Sequence, residues 1–163
     1  MVLAAGASTR YGGVKQHELL PPVLDALRAT SVDEVVVVEG AHPLAAPGAR
    51  IVHCEHWERG PGASLRCGLD ALGPDVDRAV IVLADGPELD PRSVDRLAEH
   101  PAPVAAASYD GRTRSHPVAL ERSAWDDIPD EGGRALEPVL VDCSDLHAPG
   151  DVDVRDDRRP PVE

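Results

Sequence analysis

Apolar residues recur in this chain with two alternating rhythms. Val35-Val36-Val37-Val38 is a short unbroken apolar run, Val80-Ile81-Val82-Leu83-Ala84 is a second, and Val104-Ala105-Ala106-Ala107 is a weaker third. Runs of this length predict strands buried on both faces, as in a parallel sheet. Between them the spacing lengthens. Leu65, Leu69 and Leu72 fall at i, i+4 and i+7, while Val94, Leu97 and Ala98 form a stripe opened by Asp90-Pro91. The first pattern predicts a helix. The second predicts another, with a carboxylate N-cap and proline at the first helical position. An earlier helix is predicted over Pro22 to Ala29, and a first strand begins almost at Met1. Alternating strands and helices imply an α/β protein. Its expected form is a three-layer α/β/α sandwich around a Rossmann-like, mostly parallel sheet. We expect one domain over residues 1–157 and a charged, proline-rich tail over residues 158–163.

In such a sheet, ligands bind beyond the carboxyl ends of the strands. The segment leaving the first strand is Leu3-Ala4-Ala5-Gly6-Ala7-Ser8-Thr9-Arg10-Tyr11-Gly12-Gly13-Val14-Lys15. Small residues let backbone N–H groups approach a ligand closely, and successive N–H groups form an anion-binding concavity. Arg10 adds a planar fork and Lys15 a flexible point charge. Lys15 is also the only lysine among the 16 Lys and Arg residues. The segment is equipped to hold a polyphosphate; its plainer reading is a surface turn. It contains neither a P-loop nor the dinucleotide-binding glycine fingerprint.

Five further segments carry candidate chemistry. Asp85 ends an apolar run and precedes Gly86-Pro87. It reads either as a ligand for a hard cation or as a turn-former. Gly60-Pro61-Gly62-Ala63-Ser64-Leu65-Arg66-Cys67-Gly68-Leu69 is a glycine-rich turn entering a helix. Its backbone and Ser64 hydroxyl either read a base edge or simply start the helix. Arg114-Ser115-His116-Pro117-Val118 and Asp130-Glu131-Gly132-Gly133-Arg134 offer His116, Asp130 and Arg134 as acceptor contacts, or as structural residues. Asp151-Val152-Asp153 puts two carboxylates on one face if it is a strand. Otherwise it is part of a solvated tail.

In order and spacing these segments resemble the MobA-like nucleotidyltransferases, which transfer a nucleoside monophosphate from an NTP to a phosphorylated acceptor. The opening segment resembles their L-A-A-G-x-S-x-R-x-G-x-x-K signature. Leu83-Ala84-Asp85-Gly86-Pro87 resembles L-x-D-Q-P, with Gly86 for Gln. The Gly60–Leu69 turn resembles G-x-G-x-S-L-x-x-G-L, and His116-Pro117-Val118 resembles H-P-V. The segments at Asp130–Arg134 and Asp151–Asp157 resemble G-D-x-G-A-R and D-I-D-T-P-E-D. Ser115 stands for the Gly before H-P-V, Pro129 for the first Gly of G-D-x-G-A-R, and Val154 and Arg155 for Thr and Pro of D-I-D-T-P-E-D. The connection after Lys15 looks shorter than in relatives.

The resemblance implies a nucleotide-diphospho-sugar transferase type of fold. It implies Arg10, Lys15 and Asp85 as catalytic residues, and Asp85 and Asp153 as ligands of Mg2+. Leu3, Ala4, Ala5, Gly6, Gly62 and Ser64 would contact the nucleotide. His116, Asp130 and Arg134 would contact the acceptor. The molybdenum-cofactor cytidylyltransferases are the most similar subgroup. That implies CTP as donor, molybdenum cofactor as acceptor, and a molybdoenzyme or maturation factor as a partner. A GTP-using molybdenum-cofactor or phospholactate guanylyltransferase, and a nucleotide-binding module without turnover, remain as alternatives.

Charge and cysteines complete the picture. A net charge of −13 argues against nucleic acid as a partner. It would also repel a free triphosphate, so a nucleotide should arrive with Mg2+ at a locally basic pocket. No stretch approaches the roughly 20 apolar residues of a membrane span. Nor does the opening resemble a signal peptide. Cys54, Cys67 and Cys143 lie far apart and are expected to be reduced thiols in a cytoplasmic protein.

Overall fold

The computed structural model describes residues 1–126 and 128–153. Seven strands form one sheet. They are β1 (Val2–Leu3), β2 (Val36–Glu39), β3 (Arg50–His53), β4 (Arg78–Leu83), β5 (Val104–Ser108), β6 (Ser115–Glu121) and β7 (Val139–Asp142). Their order is β3-β2-β1-β4-β6-β5-β7. All neighbours are parallel except at β6, which runs antiparallel to both β4 and β5. The α-helices among the described residues are α1 (Lys15–Arg28), α2 (Pro61–Asp70) and α3 (Pro91–Ala98).

The period-2 alternation of β4 divides the core. Val80 and Val82 face Leu20, Val23, Leu24 and Leu27 of α1 and Val94 and Leu97 of α3. Ala79 and Ile81 face Leu65 and Leu69 of α2, joined by Trp125 and Ile128. Helices therefore cover both faces, as the alternating pattern predicts. Among the described residues, no helix is long and apolar enough to cross a membrane.

Local chemistry sets the helix ends. Asp90 caps α3 by accepting from the Arg92 N–H at 2.9 Å, and Pro91 follows at the first helical position, as expected. Helix α1 is different. It starts at Lys15, not Pro22, and runs through Pro21 and Pro22. Both prolines are exposed, while Leu19 and Leu20 just before them are buried. Burial of that stripe outweighs the two lost backbone hydrogen bonds.

One other expectation needs correction, and two open readings are decided. Cys54 and Cys67 form a disulfide, with Cα atoms 5.8 Å apart, whereas Cys143 is a buried free thiol. The sheet brings the end of β3 against α2, a proximity that a separation of 13 residues does not reveal. Residues 151–153 are not a strand. They lie against the sheet edge, where the Val152 N–H donates to the Asp85 carbonyl at 3.2 Å. The Gly-Gly-Arg part of the Asp130–Arg134 segment forms a 3-10 turn, Gly132–Ala135. The tail expected at residues 158–163 lies outside the described residues.

Candidate active site

Strands β1 and β4 are parallel neighbours, so the segments leaving them emerge on one edge. Residues 4–10 leave β1 and Asp85 follows β4, so the two segments meet in a cavity of about 220 Å³. Lys15, at the first turn of α1, closes the third side. Its ammonium donates to Asp85 Oδ2 at 2.7 Å and to the Val152 carbonyl at 3.3 Å. It lies 3.8 Å from Asp153 Oδ1, and Arg10 reaches Asp153 Oδ2 at 3.3 Å. Two cations and two carboxylates thus converge from four places in the sequence. The N-terminus of α1 carries no side-chain cap, leaving its positive end directed at the loop.

The loop is fixed from behind by Gln16. Its Nε2 donates to the Gly6 carbonyl at 2.8 Å, and its Oε1 accepts from the Ser8 hydroxyl at 2.6 Å. Ser8 holds a φ of 56°, the left-handed region. The signature includes Ser8 but stops at Lys15, so the motif pattern alone does not single out Gln16. A signal is nevertheless present, because Gln16 occupies the same stripe as Leu19, Leu20, Val23, Leu24 and Leu27. A polar side chain on an apolar stripe marks a specific task.

Residues 149–153 form the outer wall. Val152 packs with Tyr11 and Leu19. A Cβ at Gly86 would stand 3.0 Å from Pro149 Cβ, so the glycine that replaces the family's Gln makes room for this segment. Asp151 and Asp153 face different cavities: Asp153 the first, Asp151 its neighbour. Burial raises the Asp151 pKa, and the charges of Asp85 and Asp153 raise it further.

The two carboxylates expected to hold a metal already bracket one cation, the Lys15 ammonium, which stands in for it. That donor pair fits a hard divalent ion, which commonly takes one or two carboxylates and completes its shell with phosphate oxygens and water. Among the described residues there is no cluster of three or more His, Cys, Asp or Glu side chains placed to hold a metal ion.

The second cavity, about 470 Å³, shares the wall residue Leu83 with the first and is lined by Arg114, His116 and Arg134 among others. Burial pulls the His116 pKa down to about 4, with Asp85 opposing and Arg114 assisting. Its imidazole is therefore neutral near pH 7. Asp130 lies elsewhere. Its carboxylate is bound by Arg59 at 3.0 Å and by Arg66, which hold its pKa below the usual range. Its backbone carbonyl accepts from the Gly62 N–H at 3.0 Å. Residues 129–132 thus sit on the N-terminus of α2. Gly62 lies beneath them, Ser64 is buried, and neither lines the first cavity.

The chain matches the MobA-like NTP transferase domain over residues 1–141. Rv0371c from Mycobacterium tuberculosis superposes with a TM-score of 0.78 at 26% identity, over 96% of this chain and 92% of that one. A second structure of Rv0371c, in complex with manganese, gives a TM-score of 0.70 at 22% identity over 86% of each chain. A nucleotidyl transferase from Methanothermobacter thermautotroptrophicus gives 0.66 at 22% identity, over 82% of this chain and 77% of that one. Comparison with curated proteins gives no match. With the matched domain running from β1 and the small-residue loop that follows it into β7, the chain belongs to the MobA-like NTP transferase family and is a nucleotidyltransferase.

Proposed function

We propose that this nucleotidyltransferase moves CMP from CTP to the phosphate of molybdenum cofactor and releases pyrophosphate, using Mg2+. The observation that carries the reading is the meeting of Arg10, Lys15, Asp85 and Asp153 on one sheet edge. Asp85 and Asp153 would hold the cation, which when bound supplies charge neutralisation at the phosphates. A structure of Rv0371c in complex with manganese supports divalent metal use. The chain's own residues do the rest. Arg10 and Lys15 offset charge on the reacting phosphorus and departing pyrophosphate. The backbone of Leu3, Ala4, Ala5 and Gly6 receives the nucleotide. The acceptor phosphate is already ionised, so its oxygen attacks in line and the protein contributes positioning, with no nucleophile of its own.

On the acceptor side, Arg134 supplies positive charge and His116 a neutral hydrogen-bonding ring. Asp130 contributes indirectly, by tying residues 129–132 to α2, and Gly62 and Ser64 shape the wall beneath them. The product would pass to a molybdoenzyme or maturation factor. The choice of CTP rests on the resemblance of the Gly-Ala-Ser-Leu-Arg turn and the Asp-Gly-Arg and His-Pro-Val segments to cytidylyltransferases. Pyrophosphate release from each of the four NTPs, with and without molybdenum cofactor, tests it. We expect release with CTP and cofactor together. Preference for GTP would replace the cytidylyltransferase by a guanylyltransferase. NTP binding without release under any combination would favour a binding module.

A further inference from the structure

A leucine at position 16 would continue the apolar stripe of α1, yet the residue is a glutamine only 3% exposed. Burying a carboxamide is costly unless both of its ends find partners. Here both partners lie in the polyphosphate loop: the Gly6 carbonyl and the Ser8 hydroxyl. In a trans peptide the carbonyl and the following N–H point in opposite directions. Drawing the Gly6 carbonyl onto Gln16 therefore turns the Ala7 N–H away from the carboxamide. Ser8, two residues on, has a left-handed backbone that a non-glycine residue keeps only when its surroundings fix it. Gln16 also follows Lys15 directly on α1, so one helical turn carries both the ammonium and the clamp on the loop.

We infer that Gln16 is a positioning residue for nucleotide binding: it fixes residues 6–8 in the shape that receives the triphosphate and sets that loop in register with Lys15. This rests on the nucleotidyltransferase reading, and it adds a residue to it that touches neither reacting atoms nor metal. Preorganisation of this kind lowers the cost of ordering the loop on binding. Its loss is felt in nucleotide affinity more than in the chemical step.

The test uses Gln16→Leu, which keeps the stripe apolar, and Ser8→Ala, which removes only the hydroxyl. Three quantities are measured: KM and kcat for the NTP in pyrophosphate release, the rate of tryptic cleavage after Arg10, and Tm. Arg10 is 72% exposed, so cleavage there reports loop order without any nucleotide. Gln16→Leu should raise KM about tenfold, the scale of one or two lost hydrogen bonds, with kcat changed less than about threefold. Cleavage after Arg10 should accelerate while Tm holds. Ser8→Ala should move the same quantities in the same direction by less, and the double variant should do no worse than Gln16→Leu alone. Unchanged KM and unchanged cleavage in Gln16→Leu would overturn the inference. If that variant does not fold, the same result in Ser8→Ala overturns it. A parent protein that releases no pyrophosphate from any NTP refutes the enzymatic reading. Proteolysis then decides alone: faster cleavage upholds Gln16 as the clamp, and unchanged cleavage refutes it.

Discussion

Lys15 stands at the positive end of α1, where a cation is unfavourable, and Asp85 compensates at 2.7 Å. The Lys15 side chain is 14% exposed and that of Asp85 23%, so water screens the pair only in part. Lys15→Ala should lower kcat/KM by about 10², the cost of losing one preorganised charge contact. Lys15→Arg should restore only part, because the guanidinium fork differs in shape and reach. Pyrophosphate release by the three proteins measures both effects. His116 gives a separate expectation. Its folded pKa is about 4 against an ordinary 6.5, so the folded chain binds fewer protons between those values. Its contribution to stability is complete above pH 6.5 and drains as pH falls towards about 4. A plot of Tm against pH over that window should be shallower for His116→Gln than for the parent. At this scale the sequence showed charged residues well, because Arg10, Lys15 and Asp85 interrupt apolar or small-residue runs. It showed Asp130 less well, because its arginine partners lie some 64 and 71 residues away.

At the scale of elements, glycine placement decides how α2 meets its cover. A Cβ at Gly62 would lie 1.8 Å from the Pro129 carbonyl oxygen, which is backbone and cannot swing aside. Gly62→Ala should therefore destabilise the protein by about 1–3 kcal/mol, the range for overpacking. It should also loosen residues 129–132, which carry the hydrogen bond to the Gly62 N–H. Urea denaturation and hydrogen exchange of that segment measure the two effects. The strands β2 and β4 were legible because a short continuous apolar run, too brief for a helix, is stable only where both of its faces are covered. The edge strands β3 and β7 were not, since much of each is exposed. Strand β6 was hidden by Pro117, which argues against a strand interior. The ladder accommodates it through an irregularity: Ala106 pairs with Val118 and Ala107 with Ser115, so His116 and Pro117 fall between the pairs.

Over the whole molecule, a net charge of −13 surrounds a site that concentrates Arg10 and Lys15 on one sheet edge. The Cys54–Cys67 bond links the end of β3 to α2 across a separation of 13 residues. Cross-linking a loop of that size stabilises by about 3 kcal/mol in the chain-entropy account. Denaturant unfolding with and without dithiothreitol should show a loss approaching that value, with NTP binding retained if the sheet edge stays intact. The sequence conveyed the layer order because strand and helix patterns alternate. It could not convey the disulfide, which depends on how close two elements come in space. Because Lys15 is the chain's single lysine, the nucleotide cavity also holds its single ε-amine. A lysine-directed reagent that usually scatters over a protein's surface finds one ε-amine here, largely buried against Asp85, with the Met1 α-amine as the other amine of the chain. Acylation of Lys15 should abolish pyrophosphate release, and bound NTP should slow that acylation.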